Sequence, residues 1–84
     1  MKHRLTKKYV ESIEPRPDRD VIVWDEEPRG FGVKITRKGV RSYFINYRVE
    51  NGVQRRLTIG KHGSLTLKNA RDIAVTKLAE VKAG

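Results

Sequence analysis

Residues of the types that hydrogen-bond or pack against nucleotide bases recur at alternate positions on either side of Glu50-Asn51-Gly52. Ser42, Phe44, Asn46 and Arg48 precede the tripeptide and Gln54, Arg56 and Thr58 come after it, while Lys34 and Thr36 continue the pattern one segment earlier. Arginine matches the edge of guanine, asparagine and glutamine match adenine, and threonine or an aromatic ring meets the thymine methyl; a good bidentate contact discriminates by roughly 1–3 kcal/mol. Arg37, Lys38, Arg41, Arg55 and Lys61 fall in loops or at their flanks, where cations hold phosphates rather than read bases. Singly, each position is an ordinary polar residue on the outside of a strand. What sets them apart is their number on one face, almost without acids.

That face exists only if the strands pair in one register. Asn-Gly between apolar runs signals a hairpin whose usual turn has two residues. A two-residue turn would set Arg48 opposite Arg55 and Asn46 opposite Leu57, mixing core and charged residues on each face. A three-residue loop, Glu50-Asn51-Gly52 with Gly52 in the left-handed bulge position, instead gives Tyr43/Ile59, Ile45/Leu57, Tyr47/Arg55, Asn46/Arg56 and Arg48/Gln54. Tyr43, Ile45, Leu57 and Ile59 then share one side and the polar set the other. Arg37-Lys38-Gly39 makes the same demand, pairing Val33 with Tyr43 and Lys34 with Ser42 and placing Gly32 opposite Phe44. Two hairpins that need the same odd loop length predict a three-stranded antiparallel meander.

The flanking segments supply cover. Thr6 is placed as the N-cap of a short helix over 7–13, with Leu5 and Val10 as a hydrophobic staple, and Pro15 and Pro17 end it. Residues 21–24, Val-Ile-Val-Trp, read as a short extra strand with Trp24 in the core, and 25–30 as an irregular loop. Thr66 is the next expected N-cap, with Leu65 and Ala70 as its staple. Ala70, Ile73, Ala74, Leu78 and Val81 then recur at helical spacing over 67–82. Their stripe is expected to cover Tyr43, Ile45, Leu57 and Ile59. The fold class is therefore α+β: a three-stranded antiparallel sheet packed on a C-terminal helix, with a short N-terminal helix and a short extra strand.

A chain of 84 residues makes one small domain that buries on the order of 60% of its unfolded surface, leaving little core for a deep catalytic cleft. It has no cysteine, so neither disulfides nor thiolate metal sites are available. No apolar run approaches the roughly 18 residues of a membrane span, and MKHRLTKKYV lacks the apolar centre of a signal peptide. A cytoplasmic protein without membrane contact is expected. Nineteen Lys and Arg stand against ten Asp and Glu, a formal charge of +9. Between Arg29 and Lys61 there are nine basic residues and one acid, Glu50, which is the electrostatic footprint of a polyanion partner.

Catalytic constellations are missing. Tyr9, Tyr43 and Tyr47 follow core periodicity, and His3 and His62 lie far apart with no carboxylate or thiol at metal spacing. Asp25-Glu26-Glu27 suits a turn or an offset to nearby arginines. Gly30-Phe31-Gly32 lacks the Gly-Lys and helix of a phosphate loop. No catalytic residue, metal or cofactor is expected.

The run WDEEPRGFGVKITRKGVRSYFINYRVENGVQRRLTIGKHGSLTLKNARDIA carries a family resemblance. Its features are Asp25, Pro28 and Gly30-Phe31-Gly32; Gly39 with Ser42-Tyr43; Tyr47-Arg48; Arg55-Arg56-Leu57-Thr58-Ile59-Gly60; and Leu67 with Ala70-Arg71. Together with Leu5-Thr6 they span about 5–82, and the chain resembles the N-terminal arm-type DNA-binding domain of phage-integrase-like tyrosine recombinases, found with prophages and integrative elements. The resemblance implies a three-stranded sheet, backed by a C-terminal helix and laid into the major groove of arm sites flanking the recombination core. It also implies that 1–84 is one non-catalytic domain of a longer integrase, with double-stranded DNA and other integrase protomers as partners in a bacterial host. The sequence departs from the family at His62-Gly63, where Tyr-Pro is common. Two other readings fit the order of elements or the surface: a double-stranded-RNA domain, and a protein-interaction adaptor anchored at Phe44.

Overall fold

The computed structural model describes residues 4–83, so His3 lies outside the described residues. Its elements are α1 (Lys7–Ser12), β1 (Val21–Trp24), β2 (Phe31–Ile35), β3 (Arg41–Arg48), β4 (Gln54–Lys61) and α2 (Leu67–Ala83). The strands form one antiparallel sheet in the order β1-β2-β3-β4. The expected three-stranded meander thus gains a fourth member, because β1 pairs along β2 from Val21↔Ile35 to Trp24↔Gly32. Pairing there satisfies backbone groups that a bare β2 edge would leave open.

Both hairpins close on three residues. Thr36 N–H donates to Val40 O at 2.9 Å around 37–39, and Val49 N–H donates to Val53 O at 2.9 Å around 50–52. Gly39 and Gly52 take φ of +89° and +85°, the left-handed geometry that an odd loop requires and that glycine adopts without steric cost. The register is then set: Lys34↔Ser42, Val33↔Tyr43, Ile45↔Leu57, Asn46↔Arg56 and Arg48↔Gln54.

One pairing differs. Tyr43 lies opposite Gly60 and Phe44 opposite Thr58, so Ile59 is the extra residue of a β-bulge. The bulge reverses the facing of the last β4 residues and sets Lys61 opposite Ser42 rather than Arg41. Gly60 follows the bulged residue, and a methyl there would come within 2.5 Å of Leu65 Cδ2.

The core lies between the inner sheet face and the helices. Phe31, Val33, Ile35, Tyr43 and Ile45 are buried with Val23, with Leu5 and Val10 of the α1 segment, and with Leu67, Ala70 and Ala74 of α2. Both helix starts are capped as expected, Tyr9 N–H donating to Thr6 Oγ1 at 3.1 Å and Asn69 N–H to Thr66 Oγ1 at 3.0 Å. The short helix ends at Ser12, with Ile13 as its extended C-cap. The α2 stripe is narrower than its apolar spacing suggests. Ile73 is 45% and Leu57 37% exposed, because the small Ala70 and Ala74 seat the helix on β3 while Leu57 sits on the terminal strand at the rim.

Candidate nucleic-acid interface

With α1 and α2 contributing to the inner core, cross-strand register defines the outer face. Its rows are Ile22, Lys34, Ser42 and Lys61; Trp24, Gly32, Phe44 and Thr58; Asn46 and Arg56; and Arg48 and Gln54. The face is not uniformly wet. Trp24, expected in the core, stands here edge-on to Phe44 at 5.2 Å, and Phe44 is only 2% exposed. The signal for Trp24 was available in the alternation Val21, Val23 against Ile22, Trp24, once that strand is paired with β2.

The readers expected from sequence divide by environment. Arg48, Gln54, Arg56 and Thr58 are exposed, and Lys34, Ser42 and Asn46 half-buried. Lys34 Nζ lies 3.3 Å from Asp20 Oδ2. Thr36 has a local task, its Oγ1 accepting from Val40 N–H at 3.1 Å. Phe44 forms a floor beneath its neighbours rather than a projecting contact.

The five expected phosphate contacts also separate. Arg37 and Lys38 are exposed in the β2–β3 loop, and Lys61 reaches the outer row through the bulge. Arg55 pairs with Tyr47 on the helix side, where Lys77 Nζ lies 5.8 Å from the Tyr47 ring. Arg41 is in register with Ile35 on the inner side, where its guanidinium meets the end of α1. Nε donates to Val10 O at 2.9 Å and Nη2 to Ile13 O at 2.5 Å. These bonds satisfy carbonyls that a helix end leaves open, so Arg41 acts in this fold as a C-terminal cap.

The His62-Gly63 departure has a structural role. His62 Nδ1 lies 2.7 Å from Tyr43 Oη and its Nε2 lies 2.8 Å from Glu11 Oε2, joining β3, the β4–α2 loop and α1. The hydrogen bond to His62 holds the Glu11 carboxyl below its ordinary value. Burial, reinforced by the Glu11 charge, pushes the Tyr43 phenol up to about 12 from 10.0. The fold therefore favours the neutral phenol. The resulting stability is complete below pH 10, where both states are protonated, and is lost as pH rises through 10 to 12 because the unfolded chain ionises first. Denaturant melts across that window, compared with Tyr43→Phe, should show a loss in the native chain that the variant lacks.

A second network, whose arginine partner the sequence did not name, ties the chain together. Asp25, 1% exposed, accepts on Oδ2 from Arg71 Nε at 3.1 Å and Nη2 at 2.6 Å. Its Oδ1 accepts from Leu5 N–H at 3.3 Å and Glu27 N–H at 3.4 Å, while Arg71 Nη2 also donates to Leu5 O at 2.9 Å. No group of three or more metal-binding side chains occurs among the described residues. Nor, among them, is any helix long and apolar enough to cross a membrane.

Comparison with curated proteins yields no match. The family model for the Arm DNA-binding domain matches residues 5–84, nearly the whole chain. With the sheet, its backing helix and the basic outer face in place, this chain belongs to the arm DNA-binding domain family, typical of the N-terminal arm-binding domains of phage integrases.

Proposed function

We propose that this chain binds double-stranded DNA sequence-specifically, setting the outer face of its sheet into the major groove of integrase arm sites. The family implies DNA binding at such sites. The placement of the helices carries the finer reading. Both supply side chains to the inner core, so Lys34, Ser42, Asn46, Arg48, Gln54, Arg56, Thr58 and Lys61 remain on the other face. The major groove admits a two-stranded β-ribbon, and β3 and β4, at eight residues each, make one. Arg37 and Lys38, exposed beyond the end of β2, would grip the flanking backbone. In this reading the chain is the DNA-addressing domain of a longer cytoplasmic integrase, working beside other protomers, and it performs no chemistry itself.

Titrating the chain with duplex DNA at several salt concentrations, with duplex RNA as competitor, tests the proposal. Affinity should fall with a log–log slope of about −0.9 per neutralised phosphate, and RNA should compete poorly. Lys38→Ala should weaken binding to all duplexes alike and make the slope shallower by about one. Equal displacement by RNA, or binding indifferent to salt, would reject the reading.

A further inference from the structure

The polar side chains of the outer face are not independent of one another. Asn46 and Arg56 are directly opposite across β3 and β4, and Arg56 Nε donates to Asn46 Oδ1 at 2.8 Å. The guanidinium carbon stands 4.5 Å from the centroid of the Phe44 ring, within cation–π range. That ring is itself held. Trp24 meets it edge-on, and Gly32 lies so close below that a methyl there would come within 3.0 Å of Phe44 Cζ.

A guanidinium is planar, so a bond at Nε and a ring against one face together restrict both its position and its orientation. Nη1 and Nη2 have no protein acceptor among the described residues, although Arg56 is exposed. Two parallel N–H donors left open in this way match the O6 and N7 acceptors of guanine. Holding the side chain before contact also reduces the conformational entropy lost on binding.

Resting on the DNA-binding reading above, the geometry points to Arg56 as a preset guanine-reading fork, with Asn46 and Phe44 as its positioning residues. Asn46 therefore acts through Arg56. Its carbonyl already accepts from the arginine, and it has no adenine of its own to read.

Duplexes selected from a random pool by the 84-residue chain, and then affinities for single-base-pair variants of the selected site, provide the test. The site should contain one guanine whose replacement by adenine weakens binding roughly 5- to 150-fold. Substituting 7-deazaguanine, which lacks N7, should weaken the native chain but leave Arg56→Ala nearly unaffected. Arg56→Ala should flatten the preference at that base pair, and Asn46→Ala should reduce it at the same base pair. The double variant should discriminate no worse than Arg56→Ala alone. A parallel circular-dichroism melt should show Asn46→Ala, on the sheet surface, folded like the native chain; Phe44→Leu serves as a third probe if it melts with the native chain.

Should Asn46→Ala abolish preference at a different base pair, with a loss additive to that of Arg56→Ala, the fork is wrong while sequence-specific DNA binding stands. If the native chain enriches no sequence, both fall.

Discussion

Arg71→Ala should destabilise the fold by about 3–5 kcal/mol, because it leaves the Asp25 carboxylate buried without its cation. Small domains are stable by only about 5–15 kcal/mol in total, so the variant should be unfolded or nearly so at moderate temperature. The loss is large because the pair joins three distant parts of the chain: Leu5, the end of β1 and the second turn of α2. Asp25→Ala should be damaging too, since Leu5 and Glu27 lose an amide acceptor. The double variant should lose less than the sum of the singles, because removing both partners leaves no isolated charge. Urea melts of the four proteins decide this. An Arg71→Ala midpoint close to that of the native chain would show that the pair does not anchor the fold.

Gly30→Ala should cost about 2–3 kcal/mol, the sum of a strain and a lost bond, and also disturb the DNA-facing surface. Gly30 has φ +91°, where a side chain adds roughly 1–2 kcal/mol of strain. Its methyl would also collide with the carbonyl oxygen of Asn46, a backbone atom that moves only if β3 moves. The Asn46 N–H bond to Gly30 O, 2.8 Å long, would loosen with it, at about another 1 kcal/mol. Gly52→Ala is the control. Its φ is similar, but nothing lies within 4 Å of the added methyl, so only the conformational strain applies. Thermal melts should rank native, Gly52→Ala and Gly30→Ala in falling order, and Gly30→Ala alone should blur base preference by displacing Asn46 from its partner Arg56. Equal melting of the two alanine variants would refute the clash.

Patterns of two and of three to four residues carried much of this architecture. Alternation on either side of Gly39 and Gly52 required odd loops, and the hydrogen bonds Thr36–Val40 and Val49–Val53 close them that way. Thr6 and Thr66 stood out as caps because a hydroxyl before an apolar run has a defined acceptor role. Periodicity gives the side of a sheet on which a residue lies, but not what else reaches it there. Phe44 was therefore legible as outward-facing, whereas its burial depends on Trp24 from a strand two places away. Arg41 resembles any loop cation until β2 pairing turns it toward α1. The interior glycine at position 60 was a local hint of the bulge, yet its effect on Lys61 emerges only from the pairing of both strands. Asp25 and Arg71, 46 positions apart, have no local signature at all.

The terminal position of β4 bears on how free molecules behave toward one another. One margin of that strand has no neighbour in the sheet, and open margins are where separate molecules join into aggregates. Arg55, Arg56 and Lys61 place three cations along it, so two copies approaching edge to edge meet mutual repulsion. The positive charge suited to a nucleic acid thus also gives the unbound chain colloidal protection, which weakens wherever salt or phosphate screens it.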